Sequence, residues 1–365
     1  MPEYESSDPR ACRHSDVRRR LEEDEERRLS PLAALSSRAV RDREEEPSPV
    51  RTTFQRDRDR ILHSKEFRRL KHKTQVFIAP QGDHYRTRLT HTLEVTQIAR
   101  TVARALRLNE DLVEAIGLGH DIGHAPFGHA GETALSHAQG HAFRHNEQSR
   151  RIVEVLAKGG AGLNLTFEVR EGIAMHSKVR KDISAKGWGV ASTLEGQIIK
   201  LADSIAYINH DIDDALRAGL LRDADLPRDA IEVLGDSHAA RINMMVCDMI
   251  DFNWWATGEA TPPDPPIISM SAPVLAATNA LRDFMFQHVY RNSQAKDDDK
   301  VRFIVIQLYQ HFVEHPDAIP ADLREIVARL GESPAQAALD YVAGMTDRYA
   351  LKVFNSLYVP RTWEA

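Results

Sequence analysis

Cysteine is almost absent: Cys12 and Cys247 are the only two in 365 residues, and neither belongs to a CxxC pair. Together they could close at most one disulfide, so a disulfide-stapled scaffold is excluded and a reducing cytoplasm is the expected compartment. Long apolar runs are missing as well. No stretch approaches the roughly 20 residues that span a bilayer. The opening Met1-Pro2-Glu3-Tyr4-Glu5 runs into charge without the apolar region of a secretory signal. Neither membrane insertion nor secretion is expected. Charge of one sign is scarce: the formal net charge is −6, which makes no global case for nucleic-acid binding. The glycine loops that cradle phosphates are also absent. There is no GxxxxGKS or GxxxxGKT, no GxGxxG after a strand, and no GxSxG elbow. A phosphate would have to be held by metal and arginine instead.

Strand-like alternation is scarce too. Gln75 to Ile78 is the only short candidate, ahead of a Pro80-Gln81-Gly82-Asp83 turn. Helical patterns fill the rest, so the expected fold class is all-α. Apolar residues make up 42% of the chain, enough for one large domain or two close-packed ones. Over Thr90 to Leu108, the residues Val95, Ile98, Ala99, Val102, Ala105 and Leu106 share one stripe. Asn109 offers a cap to the next helix, which runs through Val113 and Ile116 to His120. Further helices are expected over Arg144 to Lys158, closed by Gly159-Gly160, and over Thr193 to Leu216. The prolines between Thr261 and Pro266 cannot continue a helix. Helical pattern resumes near Ala272.

Residues 1–50 alternate blocks of charge, such as Arg18-Arg19-Arg20 before Glu22-Glu23-Asp24-Glu25-Glu26. With few large apolar residues to offset ordering entropy, they read as a mobile or partly helical arm, solvated or ordered at a subunit interface. A catalytic region over 51–255 and a C-terminal helical region over 269–365, packed on it, complete the expected organisation.

Chemistry concentrates in His120-Asp121-Ile122-Gly123-His124-Ala125-Pro126-Phe127-Gly128-His129-Ala130-Gly131-Glu132, with three histidines and two carboxylates between its ends. Imidazole and carboxylate are the usual ligands of divalent metals. A His-Asp dipeptide alone is weak evidence, but two more residues strengthen it. His91 lies in register with the apolar stripe of its helix; a core-facing histidine is more often structural. Asp203 sits in the apolar run Ile198 to Tyr207, where a buried carboxylate is costly unless paired with a metal or a cation. On the same helix Asp203, Tyr207 and Asp211 fall at i, i+4 and i+8, one face that drifts about 40° per step. The bland reading of that face is a solvated polar stripe. Arg86 and Arg88 precede His91, with Arg56, Arg58, Arg60, Arg68 and Arg69 upstream. Arginine grips phosphate oxygens in pairs, although single surface arginines are commonplace.

These blocks, in order, resemble one family. His91, then His120-Asp121, then Asp203 resembles the metal signature of the HD superfamily. Phe54 to Ile61, Phe67 to Phe77, Gly82 to His91, His120 to Glu132, His145 to Ser149, Asp203 to Leu220 and Asp340 to Tyr349 are similar to the dGTPase-like family. That resemblance covers about 50–358 and implies an HD-domain helical bundle with additional C-terminal helices. It implies hydrolysis of a deoxynucleoside triphosphate to deoxynucleoside and tripolyphosphate, by attack of water at the α-phosphorus. Implied metal ligands are His91, His120, Asp121 and Asp203, for magnesium or manganese, with iron, cobalt or nickel also fitting such a site. His129 and Glu132 would be a hydrogen-bonded catalytic pair. Arg88, His124 and His145 would touch phosphates; Gln75, Tyr207 and Asp211 would line sugar and base. A homo-oligomer (tetramer or hexamer), a dNTP activator and weak single-stranded nucleic-acid binding are further implications. Gly119 stands where many of the family carry alanine, and the loop Ser177 to Ser192 looks individual. Two other readings stay open: another HD phosphohydrolase, such as a nucleotidase or guanosine tetraphosphate hydrolase, and a catalytically quiet nucleotide sensor.

Overall fold

The computed structural model describes residues 16–75, 86–177, 189–290 and 295–360. The first ten helices are α1 (Val17–Arg28), α2 (Thr53–Leu62), α3 (Lys65–Arg69), α4 (Arg88–Ala105), α5 (Glu110–Gly119), α6 (Gly128–Gln139), α7 (His145–Arg151), α8 (Ala157–Gly160), α9 (Phe167–Met175) and α10 (Leu194–Arg217). After them come α11 (Arg228–Leu234), α12 (His238–Phe252), α13 (Ala272–Met285), α14 (Ala295–Glu314), α15 (Ala321–Arg329), α16 (Pro334–Ala343) and α17 (Asp347–Tyr358). The all-α expectation holds. Among the described residues the only β-pairing is two isolated bridges, Arg41 with Thr166 and Thr74 with Thr87. Most of the strand candidate Gln75 to Ile78, its following turn and most of the Ser177 to Ser192 loop lie outside the described residues. No described helix is long and apolar enough to cross a membrane.

Helix starts follow local chemistry. Asn109 accepts hydrogen bonds from the amides of Asp111 and Leu112, as its place before an acidic turn suggested. Thr52 with Gln55, and Thr87 with Thr90, close reciprocal capping boxes on α2 and α4. The helix expected through Lys158 is interrupted earlier. After α7 the chain makes a π-turn over Ile152–Leu156, and Lys158 and Gly159 adopt positive φ.

Two apolar cores organise these helices. The first joins α2, α4, α5, α9, α10 and α13 through Phe54, Val95, Val102, Ile116, Ile205 and Leu281, all buried. In the second, Ala125, Phe127 and Leu135 pack against Val305, Leu308 and Val342 of α14 and α16. The proline-rich stretch near 261–266 therefore does not divide the cores, because α13 beyond it still packs into the first.

Residues 16–50, expected to be a mobile or partly helical arm, carry the helix α1 and several contacts with the rest of the described chain. The Ser30 amide donates to the Arg107 carbonyl at 2.7 Å. Arg41 pairs with the fully buried Asp57 at 2.6 Å, and the Ala34 amide reaches Glu195 at 3.0 Å. The segment is held by polar anchors on buried carboxylates, which composition cannot reveal.

Glu195 lends itself to a direct test. One oxygen accepts the amides of Ala34 and Asn109, each at 3.0 Å, and the other is buried with no hydrogen bond among the described residues. Burial pushes its carboxyl up to about 7. A carboxyl that holds its proton more tightly when folded adds stability below its unfolded pKa and loses it as pH rises towards 7. Glu195→Gln keeps an acceptor oxygen without the charge. Urea titrations should find the variant more stable than wild type by about 2–4 kcal/mol at pH 8, and equal to it near pH 4.5. Equal destabilisation at both values would refute the assignment.

Candidate active site

The last turn of α5 places the His-Asp pair. His120 donates through Nδ1 to the Gly117 carbonyl at 2.6 Å, which leaves Nε2 as a lone pair. That Nε2 is buried with no hydrogen-bond partner among the described residues. It faces Asp121 at 3.4 Å, while His91, in the first turn of α4, meets Asp203 of α10 at 3.1 Å. The ligand atoms of His91, His120 and Asp203 lie within 4.8 Å of one another. A divalent cation fits this donor set, because it would use the orphaned lone pair together with the carboxylates. Burial lowers the His120 pKa, which favours the neutral, ligating form. Burial would raise Asp121, but His120, His124 and Arg88 outweigh it and hold the carboxyl well below its usual value. Two glycines stand at close approaches here. A Cβ on Gly119 would stand 2.5 Å from the end of the Ile173 side chain, so a larger residue there would make Ile173 shift where α5 meets α9. A Cβ on Gly123 would stand 2.4 Å from the His145 carbonyl, which brings α7 against the His-Asp turn.

A second group lies beside the first. Asp121 offers its other oxygen to Arg88 at 2.8 Å and meets His124 at 3.1 Å. The rings of His124 and His145 stack, with centroids 3.9 Å apart. Glu132 sits between their Nδ1 atoms, at 2.5 Å from His124 and 3.1 Å from His145. Burial opposes its charge, yet His145 and His124 hold Glu132 well below the usual range. This corrects the expected hydrogen-bonded pair. His129 comes no closer to Glu132 than 4.0 Å, and its side chain is 65% exposed, because the two inner histidines occupy the carboxylate. Desolvation, with His124, Arg88 and His145 nearby, lowers the His129 pKa to about 4 against the pull of Glu132.

The remaining expected residues are placed around these groups. Arg88 is almost fully buried, next to the first residue of α6. Gln75 is buried too, with its Oε1 lacking a hydrogen bond among the described residues. Tyr207 is half-buried against the first core, and Asp211 is fully buried one turn further along α10. Arg56, Arg58 and Arg60 serve structure. Arg56 and Arg60 pair with Glu45, and Arg58 pairs with Asp111 and Glu114.

Three buried groups escaped the sequence reading. His176, at the end of α9, donates through Nδ1 to the Ile173 carbonyl at 2.6 Å and approaches His145 at 3.2 Å between the Nε2 atoms. Nothing in its local sequence marks it. His210 backs His91, with Nδ1 atoms 3.5 Å apart, and pairs with Glu94 on its far side. The helical period could have found both, since Glu94 is at i+3 from His91 and His210 at i+7 from Asp203. Lys73 is buried and donates to the carbonyls of His124 and Ala343.

An HD domain model matches residues 88–208, and a phosphohydrolase-associated domain model matches residues 268–356. The chain is similar to the deoxyguanosinetriphosphate triphosphohydrolase-like protein of Caldanaerobacter subterraneus subsp. tengcongensis. Identity is 53% over 349 residues, which covers 95% of this chain and 97% of that one. The like-named protein of Clostridium tetani is 48% identical over 87% of this chain and 88% of its own length. That of Desulfatibacillum aliphaticivorans is 45% identical over 94% and 98%.

Proposed function

The chain belongs to the deoxyguanosinetriphosphate triphosphohydrolase-like family of HD-domain hydrolases, and from that premise we propose that it converts deoxynucleoside triphosphates to deoxynucleoside and tripolyphosphate. The observation that carries the reading is the orphaned Nε2 of His120, aimed at two carboxylates beside a buried group of arginine and histidines. A divalent cation held by His91, His120, Asp121 and Asp203 would supply Lewis acidity at the α-phosphate. Arg88, His124 and His145 bind the phosphates and offset charge that develops there. Glu132 orients the two rings by a hydrogen bond with His145 Nδ1 and by close charge contact with His124. His129, with its open face, moves a proton at the α-phosphate. Gln75, Tyr207 and Asp211 position sugar and base, which is the entropic part of the task.

The activator in this reading binds elsewhere. A cleft of about 920 Å³ carries Arg68, Arg69 and Lys158 alongside Asp59, Glu66 and Asp340, and its cations suit a second triphosphate. Assembly into a homo-oligomer belongs to the same proposal.

The test incubates the protein with manganese or magnesium and each of the four dNTPs, singly and mixed, and resolves the products. Tripolyphosphate is expected. His129→Ala should lower kcat by about 10²–10⁴-fold with metal content unchanged. Turnover confined to mixtures would show activation by a second dNTP. Release of orthophosphate or pyrophosphate instead would overturn the proposal in favour of another HD phosphohydrolase.

A further inference from the structure

The site lies on the seam between the two cores, and its two halves are held from opposite sides. His91, His120 and Asp203 come from α4, α5 and α10, helices of the first core. The segment that carries His124 and His129 packs into the second, through Ala125 and Phe127 against α14 and α16. Three polar ties reinforce that packing. Asp347, the first residue of α17 and mostly buried, accepts the Phe127 amide on one oxygen and the Thr74 amide on the other, each at 2.8 Å. Lys73 spans from the Ala343 carbonyl at 3.1 Å to the carbonyl of His124. Asp340 of α16 accepts Gln148 at 3.0 Å, on the same short helix as His145.

Phe127 makes the first tie more than packing. Its φ is +63°, a left-handed conformation that a phenylalanine adopts only when its surroundings impose it. The Asp347 hydrogen bond fixes that amide two residues before His129. The same carboxylate fixes the residue before Gln75. As the first residue of α17, it also sits where a helix favours negative charge.

We infer that the C-terminal helices are a working part of the reaction site and that Asp347 is a positioning residue. Through Phe127 and Thr74 it sets His129 and Gln75 against the substrate, without touching a metal ligand. The inference rests on the triphosphohydrolase reading for its activity arm and on backbone protection for an arm independent of it.

The test is Asp347→Asn. The amide has one acceptor oxygen, and its NH2 group would face the second amide donor. Displacement of a reacting group by about 1 Å costs on the order of a hundredfold in rate, so kcat should fall by about ten- to a hundredfold while KM moves less than about threefold. Bound metal should match wild type. Hydrogen exchange should quicken over 73–75 and 124–129 and stay unchanged in α4 and α10. In a His129→Ala background the substitution should lose the part of its effect on kcat that acts through that histidine and keep only the smaller part that acts through Gln75. Wild-type kcat, unchanged exchange, or an equal loss in both backgrounds would overturn the inference. If wild type releases no tripolyphosphate, the proposed function fails, and exchange still decides the role of Asp347. Should Asp347→Asn not fold, Lys73→Met releases the second tie and should reproduce the faster exchange at 124–129; unchanged exchange there would overturn the inference equally.

Discussion

Asp121→Ala should abolish both metal retention and turnover. The carboxylate lies 3.4 Å from His120, 3.1 Å from His124 and 2.8 Å from Arg88, so it joins the metal half of the site to the phosphate half. Its loss removes one proposed ligand and strands the buried Arg88 guanidinium beside the remaining ones. A cation facing an uncompensated arginine binds weakly. Several kcal/mol of charge stabilisation then go with the metal, which at about 1.4 kcal/mol per tenfold is a rate loss on the order of 10³ or more. Metal analysis after desalting, set beside tripolyphosphate release, checks both parts. Stoichiometric metal with near-normal turnover would remove Asp121 from the ligand set.

Arg41→Ala should cost about 3–5 kcal/mol of stability, the usual penalty for breaking a buried ion pair from one side. Arg41 meets Asp57 at 2.6 Å, with side chains 9% and 0% exposed. Burial pushes the Asp57 carboxyl up against the pull of Arg41, so without the arginine it takes a proton more readily. The loss should therefore shrink in acid. Denaturant midpoints at two pH values measure it, and the double variant Arg41→Met with Asp57→Leu should recover much of the loss, because it leaves no orphaned charge. A loss under about 0.5 kcal/mol, the level of an ordinary surface change, would mean that residues 16–50 contribute little to the fold.

Much of this molecule is legible in its residues. Apolar spacing located α4, α5 and α10 because each turns one continuous stripe to the first core. The clustering of His91, His120 and Asp203 was foreshadowed because imidazoles and carboxylates in an apolar setting need a common partner. What was not legible depends on the third dimension. The family resemblance implied that His129 and Glu132 would pair; two histidines lie nearer to the carboxylate in space. Arg56, Arg58 and Arg60 read as phosphate binders until Glu45, Asp111 and Glu114 proved to be beside them. The charged segment before residue 50 read as solvated because nothing local reveals that Asp57 and Glu195 wait for its Arg41 and its Ala34 amide.

A site on a seam divides tolerance to change. Cores are close-packed and transmit small volume changes. A methylene added under α5 or α10 will be felt by the cation ligands, and one added under α14 or α16 by the histidines that face the substrate. On the proposed function, sequence drift on one side would retune the face turned to the substrate, whereas drift on the other would disturb the cluster that could hold an ion.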